Sequence, residues 1–163
     1  VPDQTLLIRP ATAADGEAIL NILMPVIRAG ETYALPRDMK PAAALAYWTA
    51  NETFVAEAAA DIIGTYYLRP NQQGGGAHVA NCGFMTRPGA TGKGIGAALC
   101  DHALHQARRS GFTAMQFNFV IATNAPAIRL WQRFGFDVLA RLPEAFIHPL
   151  DGAVDALVMF RKL

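Results

Sequence analysis

The sequence predicts a single mixed α/β domain, and three observations carry that expectation. Short runs of strand character alternate with apolar residues at helical spacing along all 163 residues. Four glycines, Gly89, Gly92, Gly94 and Gly96, lie within eight residues, directly before one of the helical patterns. A strand pattern leads into that glycine-bearing turn and another follows the helix. These two strands should therefore be parallel, joined by a crossover. The other pairs read as mostly antiparallel.

Thr5 to Arg9 is a strand pattern closed by Pro10. Thr12 and Asp15 mark a helix start, a hydroxyl cap with an acid three residues on. Ala18, Ile19, Ile22, Leu23 and Val26 recur at helical spacing, and Pro25 is expected to kink or end that helix. Gly30 to Lys40 is a polar loop that contains Glu31 and Tyr33. Pro41 to Ala50 makes a short helix with proline at its opening. Thr53 to Glu57 and Ile62 to Leu68 form an antiparallel pair about a turn at Ala60-Asp61. Pro70 to Gly76 is a turn-rich loop. Ala77 to Thr86 is a long strand pattern, central because it feeds the glycine turn. Its interior Gly83 marks a bulge or a close neighbour.

Gly94 to Ser110 is the helix after the turn, with Ile95, Leu99, Ala103 and Ala107 along one stripe and Gly111 beyond it. Thr113 to Val120 is the next strand. Asn124, as a cap, and Pro126 open a helix whose buried face carries Ala127, Ile128, Trp131 and Phe134. Phe136 to Ala140 starts a strand, and Val154 to Phe160 is the last one. No internal repeat or linker is evident, so residues 1–163 read as one domain.

Composition bounds the function classes. With 52% hydrophobic and 17% charged residues, the chain has a packed core and is not disordered. A net charge of +1 with scattered Lys and Arg gives no support for a nucleic-acid partner. No apolar run approaches the ~20 residues of a membrane-spanning helix. Cys82 and Cys100 make no spaced pattern, and His78, His102 and His105 lack metal-site spacing, so no metal is expected. No secretory leader is visible, and the cytoplasm is the expected compartment.

The glycine turn is where chemistry enters. A helix that opens on glycines points unpaired N–H groups at the gap, with the positive end of its dipole behind them. That is an anion site, most naturally for phosphates, and Lys93 adds a charge beside it. It is not a P-loop, because Gly94 follows Lys93 where a hydroxyl residue is needed. Nor is it a dinucleotide fingerprint, because Gly92, Gly94 and Gly96 give G-x-G-x-G. Thr91-Gly92-Lys93-Gly94-Ile95-Gly96 does resemble the acetyl-CoA loop of the GNAT superfamily of N-acetyltransferases, Q/R-x-x-G-x-G/A, with Thr91 as its departure. A second motif follows in the family's order: Asn124, Ala127, Leu130 and Trp131, then Phe134-Gly135-Phe136, similar to N-x-x-A-x-x-L-Y-x-x-x-G-F.

The resemblance implies a central, mostly antiparallel sheet with helices on both faces and one parallel pair splayed at the cofactor site. Acetyl-CoA is then the co-substrate. Its pantetheine arm would pair with Phe84, Met85 and Thr86, and its pyrophosphate would rest on N–H groups of Gly92, Lys93, Gly94, Ile95, Gly96 and Ala97. Asn124 would hold the arm from the far side. A neutral amine would attack directly, with a backbone N–H of the Phe84–Met85 region steadying the oxyanion. The family's tyrosine acid falls at Trp131, and an indole N–H is not a usable acid. Many relatives are dimers, which leaves a homodimer open.

Polar residues on apolar strands give the substrate clues. Asn81 and Asn118 each need a hydrogen-bond partner, either within the protein or in an acceptor molecule held between the splayed strands. Phe117 to Val120 with Ala122-Thr123-Asn124, and the late Val154-Asp155-Ala156, are similar to the yeast acetyltransferases that detoxify proline analogues such as azetidine-2-carboxylate. That similarity implies a substrate-holding role for Asn118 and, beside it, Asn81. Glu31 and Tyr33 lie where the family places its acceptor-site lid, and Glu144 and His148 are further candidates for the same cleft. The expected reaction is acetylation of a small-molecule amine, an amino acid or an analogue of one. A peptide or protein amine acetyltransferase and a non-catalytic acyl-CoA sensor are the alternatives.

Overall fold

The computed structural model describes residues 5–90 and 92–163; Thr91, the departure from the loop motif, lies outside them. Seven strands form one mixed sheet, β1 (Leu7–Pro10), β2 (Glu52–Ala58), β3 (Asp61–Pro70), β4 (Val79–Thr86), β5 (Ala114–Ile121), β6 (Asp137–His148) and β7 (Gly152–Lys162). Their order across the sheet is β1-β2-β3-β4-β5-β7-β6, and β4 with β5 is the parallel pair. The other five pairings are antiparallel.

Helices α1 (Gly16–Ala29) and α2 (Pro41–Trp48) cover one face, α3 (Ile95–Arg109) and α4 (Ala125–Arg133) the other. The alternation of side chains along the strands divides the core accordingly. Phe54, Ala56, Tyr66 and Leu68 pack with Leu99, Ala103 and Trp131, whereas Val55, Tyr67 and Met85 pack with Ile19, Ile22, Leu23 and Trp48. The stripe Ile95, Leu99, Ala103 and Ala107 is fully buried, as its spacing predicts.

Several boundaries differ from the sequence reading. The first strand runs through Pro10 instead of stopping before it, and Pro10 pairs with Phe54 at the sheet edge. Pro25 does not end α1; the helix continues to Ala29 and closes at Gly30. The hairpin turn sits at Ala59 and Ala60, both at positive φ, so Asp61 already belongs to β3. β6 extends well past Ala140 to His148 as an edge strand.

The start of α1 is tied to β1 by charge. Asp15 ends a single 3₁₀ turn, and its carboxylate accepts hydrogen bonds from Arg9 Nη1 at 2.8 Å, Arg9 Nη2 at 3.0 Å and the Thr12 N–H at 2.7 Å. The Arg9 guanidinium pulls the Asp15 pKa down to about 2. A carboxylate held low in the native state adds stability above its unfolded pKa, about 3.9, and that stability is lost as pH falls through the native value. Asp15→Asn should therefore cost about 1–2 kcal/mol at pH 7. In urea melts the gap to the parent should shrink between about pH 4 and pH 2. A gap that stays constant over that range would contradict this role.

Candidate active site

The site begins where two strands part. β4 and β5 are paired only at Val79↔Ala114 and Ala80↔Met115. At the next residue Asn81 closes the fork with its side chain, Nδ2 donating to the Gln116 carbonyl at 3.0 Å and Oδ1 accepting from Arg69 Nε at 3.2 Å. Beyond it the edge of β4 is open. The register with β3 says which groups are free. Asn71 N–H bonds the Val79 carbonyl and Arg87 N–H bonds the Ile63 carbonyl, at the two ends of this ladder. The hydrogen-bonded positions therefore alternate through Asn81, Gly83 and Met85. Cys82, Phe84 and Thr86 turn their N–H and C=O groups away from β3, toward the gap.

A cavity of about 970 Å³ fills that gap and runs to the mouth of α3. At the mouth, Gly92 and Gly94 adopt φ of 80° and 77°, and a Cβ added at either would meet nothing within 4 Å. Gly94 is the N-cap and offers no side chain, and the first turn holds no acid. The first intrahelical bond is Ala98 N–H to the Gly94 carbonyl. The N–H groups of Ile95, Gly96 and Ala97 are thus left for an outside acceptor. These features fit a diphosphate: open space over glycine, three orphan donors and the positive end of a 15-residue helix.

Of the residues singled out in the sequence, Tyr33, Asn81, Phe84, Met85, Thr86, Gly92, Gly94, Gly96, Ala97, Asn118 and Asn124 line this cavity. Ile95 does not; its side chain is core, and only its backbone N–H is placed for a ligand. Glu31 and Lys93 are exposed and outside the lining. Met85 touches the cavity, but its backbone faces Thr65 in the ladder, so the N–H of that region that points into the gap belongs to Phe84. Asn81 and Asn118 do not bond one another. Asn118 instead donates to Asn71 Oδ1 at 2.7 Å and accepts from Gln116 Nε2 at 2.9 Å, at a break in the β5–β7 register. Asn124 caps α4, its Oδ1 accepting from the Ala127 N–H at 3.4 Å. Trp131 wedges under the fork, 5.1 Å from Phe84 and 5.0 Å from Phe117 between ring centroids. Glu144 and His148 stand apart from the cavity. His148 Nδ1 accepts from the Leu150 and Asp151 N–H groups and ties the β6–β7 turn.

The charge on the lining is not visible in the sequence. Among the described residues the lining holds no Asp, Glu, His or Lys, only the cations Arg69, Arg129 and Arg133. Arg129 and Arg133 stand one helical turn apart on α4, a spacing that could have flagged them. Arg69 lies 4.7 Å over the Tyr67 ring and 5.7 Å over the Tyr47 ring. It makes no ion pair among the described residues. Burial pushes the Tyr67 hydroxyl and the Cys82 thiol up, so neither is an anion near neutral pH. A thiol held protonated is a poor nucleophile, which argues against an acyl-enzyme on Cys82.

Comparison with known proteins agrees with this geometry. The sequence profile of the Acetyltransferase (GNAT) family matches residues 18–136. N-acetyltransferase aca1 of Schizosaccharomyces pombe is 38% identical over 98 residues, 60% of this chain and 47% of its own length. Protein SPT10 of Saccharomyces cerevisiae is 33% identical over 97 residues, 59% of this chain and 15% of its own. The chain thus spans about half the length of one of these curated relatives and far less of the other. A GCN5-related N-acetyltransferase from Kribbella flavida has a structure that superposes with a TM-score of 0.94 at 41% identity, over 97% of this chain and 98% of that one. The acetyltransferase yncA from Salmonella typhimurium, solved with its cofactor acetyl-CoA, shares the fold at 24% identity and a TM-score of 0.87, over 98% and 94% of the two chains. From the glycine mouth, the parted strands and these matches together, the chain belongs to the Acetyltransferase (GNAT) family of N-acetyltransferases, which are acyltransferases.

Proposed function

We propose that this chain moves the acetyl group of acetyl-CoA to the amine of a small molecule that also carries a carboxylate, an amino acid or a close analogue. The observation that carries this reading is a single cavity whose lining includes both an anion-binding helix mouth and the guanidinium of Arg69, which has no carboxylate partner among the described residues. The N–H groups of Ile95, Gly96 and Ala97 hold the diphosphate, with Arg129 and Arg133 nearby on α4 for further phosphate charge. The free edge of β4 at Cys82, Phe84 and Thr86 accepts the amide-bearing arm as it would an added strand. Asn118 and Asn71 offer amides to the acceptor, while Arg69 holds its carboxylate.

In the reaction the amine nitrogen bonds to the acetyl carbon, the carbon–sulfur bond breaks, and sulfur keeps the electron pair. No carboxylate or imidazole lines the cavity among the described residues, so the ammonium proton leaves through water. The arginines assist, because positive charge nearby disfavours the ammonium form. Trp131 donates no proton to the leaving thiolate, and water supplies that too.

The test is thiol release from acetyl-CoA across amino acids, their amides, simple amines and peptides. Release is expected with a small amino acid and to fall sharply with its amide. Arg69→Gln should raise KM for the acid about 10-fold or more, the worth of a charge-assisted hydrogen bond, while the acetyl-CoA KM stays put. Release with peptides alone would make this a peptide acetyltransferase. Tight acetyl-CoA binding with no release would make it a sensor.

A further inference from the structure

The free edge of β4 is not bare. At Phe84 the Tyr33 hydroxyl accepts the backbone N–H at 2.8 Å and donates to the backbone carbonyl of the same residue, also at 2.8 Å. Exchanging both bonds with one residue is what an adjacent strand does. Here a phenol from the loop between α1 and α2, 51 residues away in sequence, does it instead. The ring is held from behind. It stands edge-on to Trp48 at 6.0 Å, and Trp48 is pinned by its indole N–H to Thr65 Oγ1 at 3.0 Å. The loop itself is clasped at its base, where Arg28 donates to the Arg37 carbonyl and Arg37 Nε donates to the Arg28 carbonyl at 2.8 Å.

We infer that the Tyr33 hydroxyl is a placeholder for the thioester carbonyl and, once displaced, a second hydrogen-bond donor to that carbonyl's oxygen beside the Phe84 N–H. The inference rests on the acetyl-CoA reading above and adds a catalytic residue to it. Without cofactor, the hydroxyl satisfies two backbone groups of β4 that face the cavity, where water can take its place. On binding, the Phe84 N–H turns from the phenol oxygen to the thioester oxygen. The Phe84 carbonyl is freed for an amide N–H of the pantetheine arm. The phenol O–H then finds a stronger acceptor than the amide carbonyl it left, because negative charge grows on the thioester oxygen as the amine attacks. No bond to Tyr33 forms or breaks.

Its environment makes Tyr33 a donor and not an acid. Desolvation is the main reason its pKa stands well above the ordinary phenol range. Passing its proton to a thiolate, a weaker base than a desolvated phenolate, would run uphill, so the proton stays on the phenol. Tyr33 therefore does not replace the family's tyrosine acid, whose position Trp131 occupies; it acts earlier, on the carbonyl oxygen.

Tyr33→Phe keeps the ring against Trp48 and removes only the oxygen. Expected is a kcat about 100-fold lower, the scale of losing one oxyanion donor, with the acetyl-CoA KM and the melting temperature little changed. A second readout is the Phe84 backbone amide in protein carrying 15N-labelled phenylalanine. Its resonance should move on Tyr33→Phe without ligand, and in the parent on adding acetyl-CoA. Unchanged kcat in the variant, or a Phe84 resonance that ignores bound acetyl-CoA, overturns the inference and leaves the acetyl-transfer reading standing. Failure of the parent to bind acetyl-CoA at all overturns both.

Discussion

Gly94→Asp should abolish acetyl-CoA binding while leaving the fold intact. Gly94 holds φ 77° and ψ 3°, a left-handed conformation that Asp adopts more readily than most residues with a side chain. A Cβ there meets nothing within 4 Å, so the protein has room for the carboxylate. Its negative charge at the positive end of α3 is worth about 0.3–1 kcal/mol, which offsets part of the backbone strain of about 1–2 kcal/mol. The same carboxylate fills the anion site and places a negative charge against the incoming diphosphate. Losing three charge-assisted hydrogen bonds at about 1.5–3 kcal/mol each predicts a Kd weaker by more than about 1000-fold. Calorimetric titration with acetyl-CoA, beside a melting curve within a few degrees of the parent, checks both halves. Gly94→Ala, which adds a methyl and no charge, should lose far less. Normal binding by Gly94→Asp would mean that the diphosphate does not sit on α3.

Gly83→Val carries the largest expected loss of stability. Gly83 lies on β4 directly across from Tyr67, and a Cβ there would stand 2.5 Å from that ring. The ring cannot simply swing aside. It packs edge-on against Trp48 at 4.8 Å, lies near Tyr47 at 6.2 Å, and carries Arg69 on its face. Overpacking of this kind costs about 3 kcal/mol, at the upper end of its usual range. For a chain of this length that lowers the melting temperature by roughly 6–12 °C. The displaced ring takes Arg69 with it, so KM for the amine should rise while acetyl-CoA affinity is kept. A Gly83→Val protein with parental stability and amine KM would mean that the Tyr67–Arg69 wall does not shape the acceptor end.

What the sequence made legible follows from how local each signal is. The glycine mouth, the crossover, the cap at Asn124 and the buried stripe of α3 are written within single segments, and the structure matches them. Gly83 reads as a bulge or a close neighbour, and the register with the Tyr67 ring shows it to be the neighbour. Other features depend on partners far along the chain. Met85 and Phe84 differ by one residue, and only the pairing with β3 decides which backbone faces the gap. Asn81 finds the Gln116 carbonyl 35 residues on, a contact set by where two strands part. Arg69 reads as an ordinary polar strand end until Tyr47, Tyr67 and the cavity surround it. The second half of β6 is hidden in the sequence because it carries Pro143, lies on a strand with two breaks in register and is largely exposed at the sheet edge, which weakens the alternation that marks strands.

The most direct measurement is a crystal structure of this chain with acetyl-CoA. The expected result places diphosphate oxygens about 3 Å from the backbone nitrogens of Ile95, Gly96 and Ala97, with the thioester carbonyl on the Phe84 N–H. A coenzyme bound with its diphosphate elsewhere, or with β4 still closed by Tyr33, would contradict it.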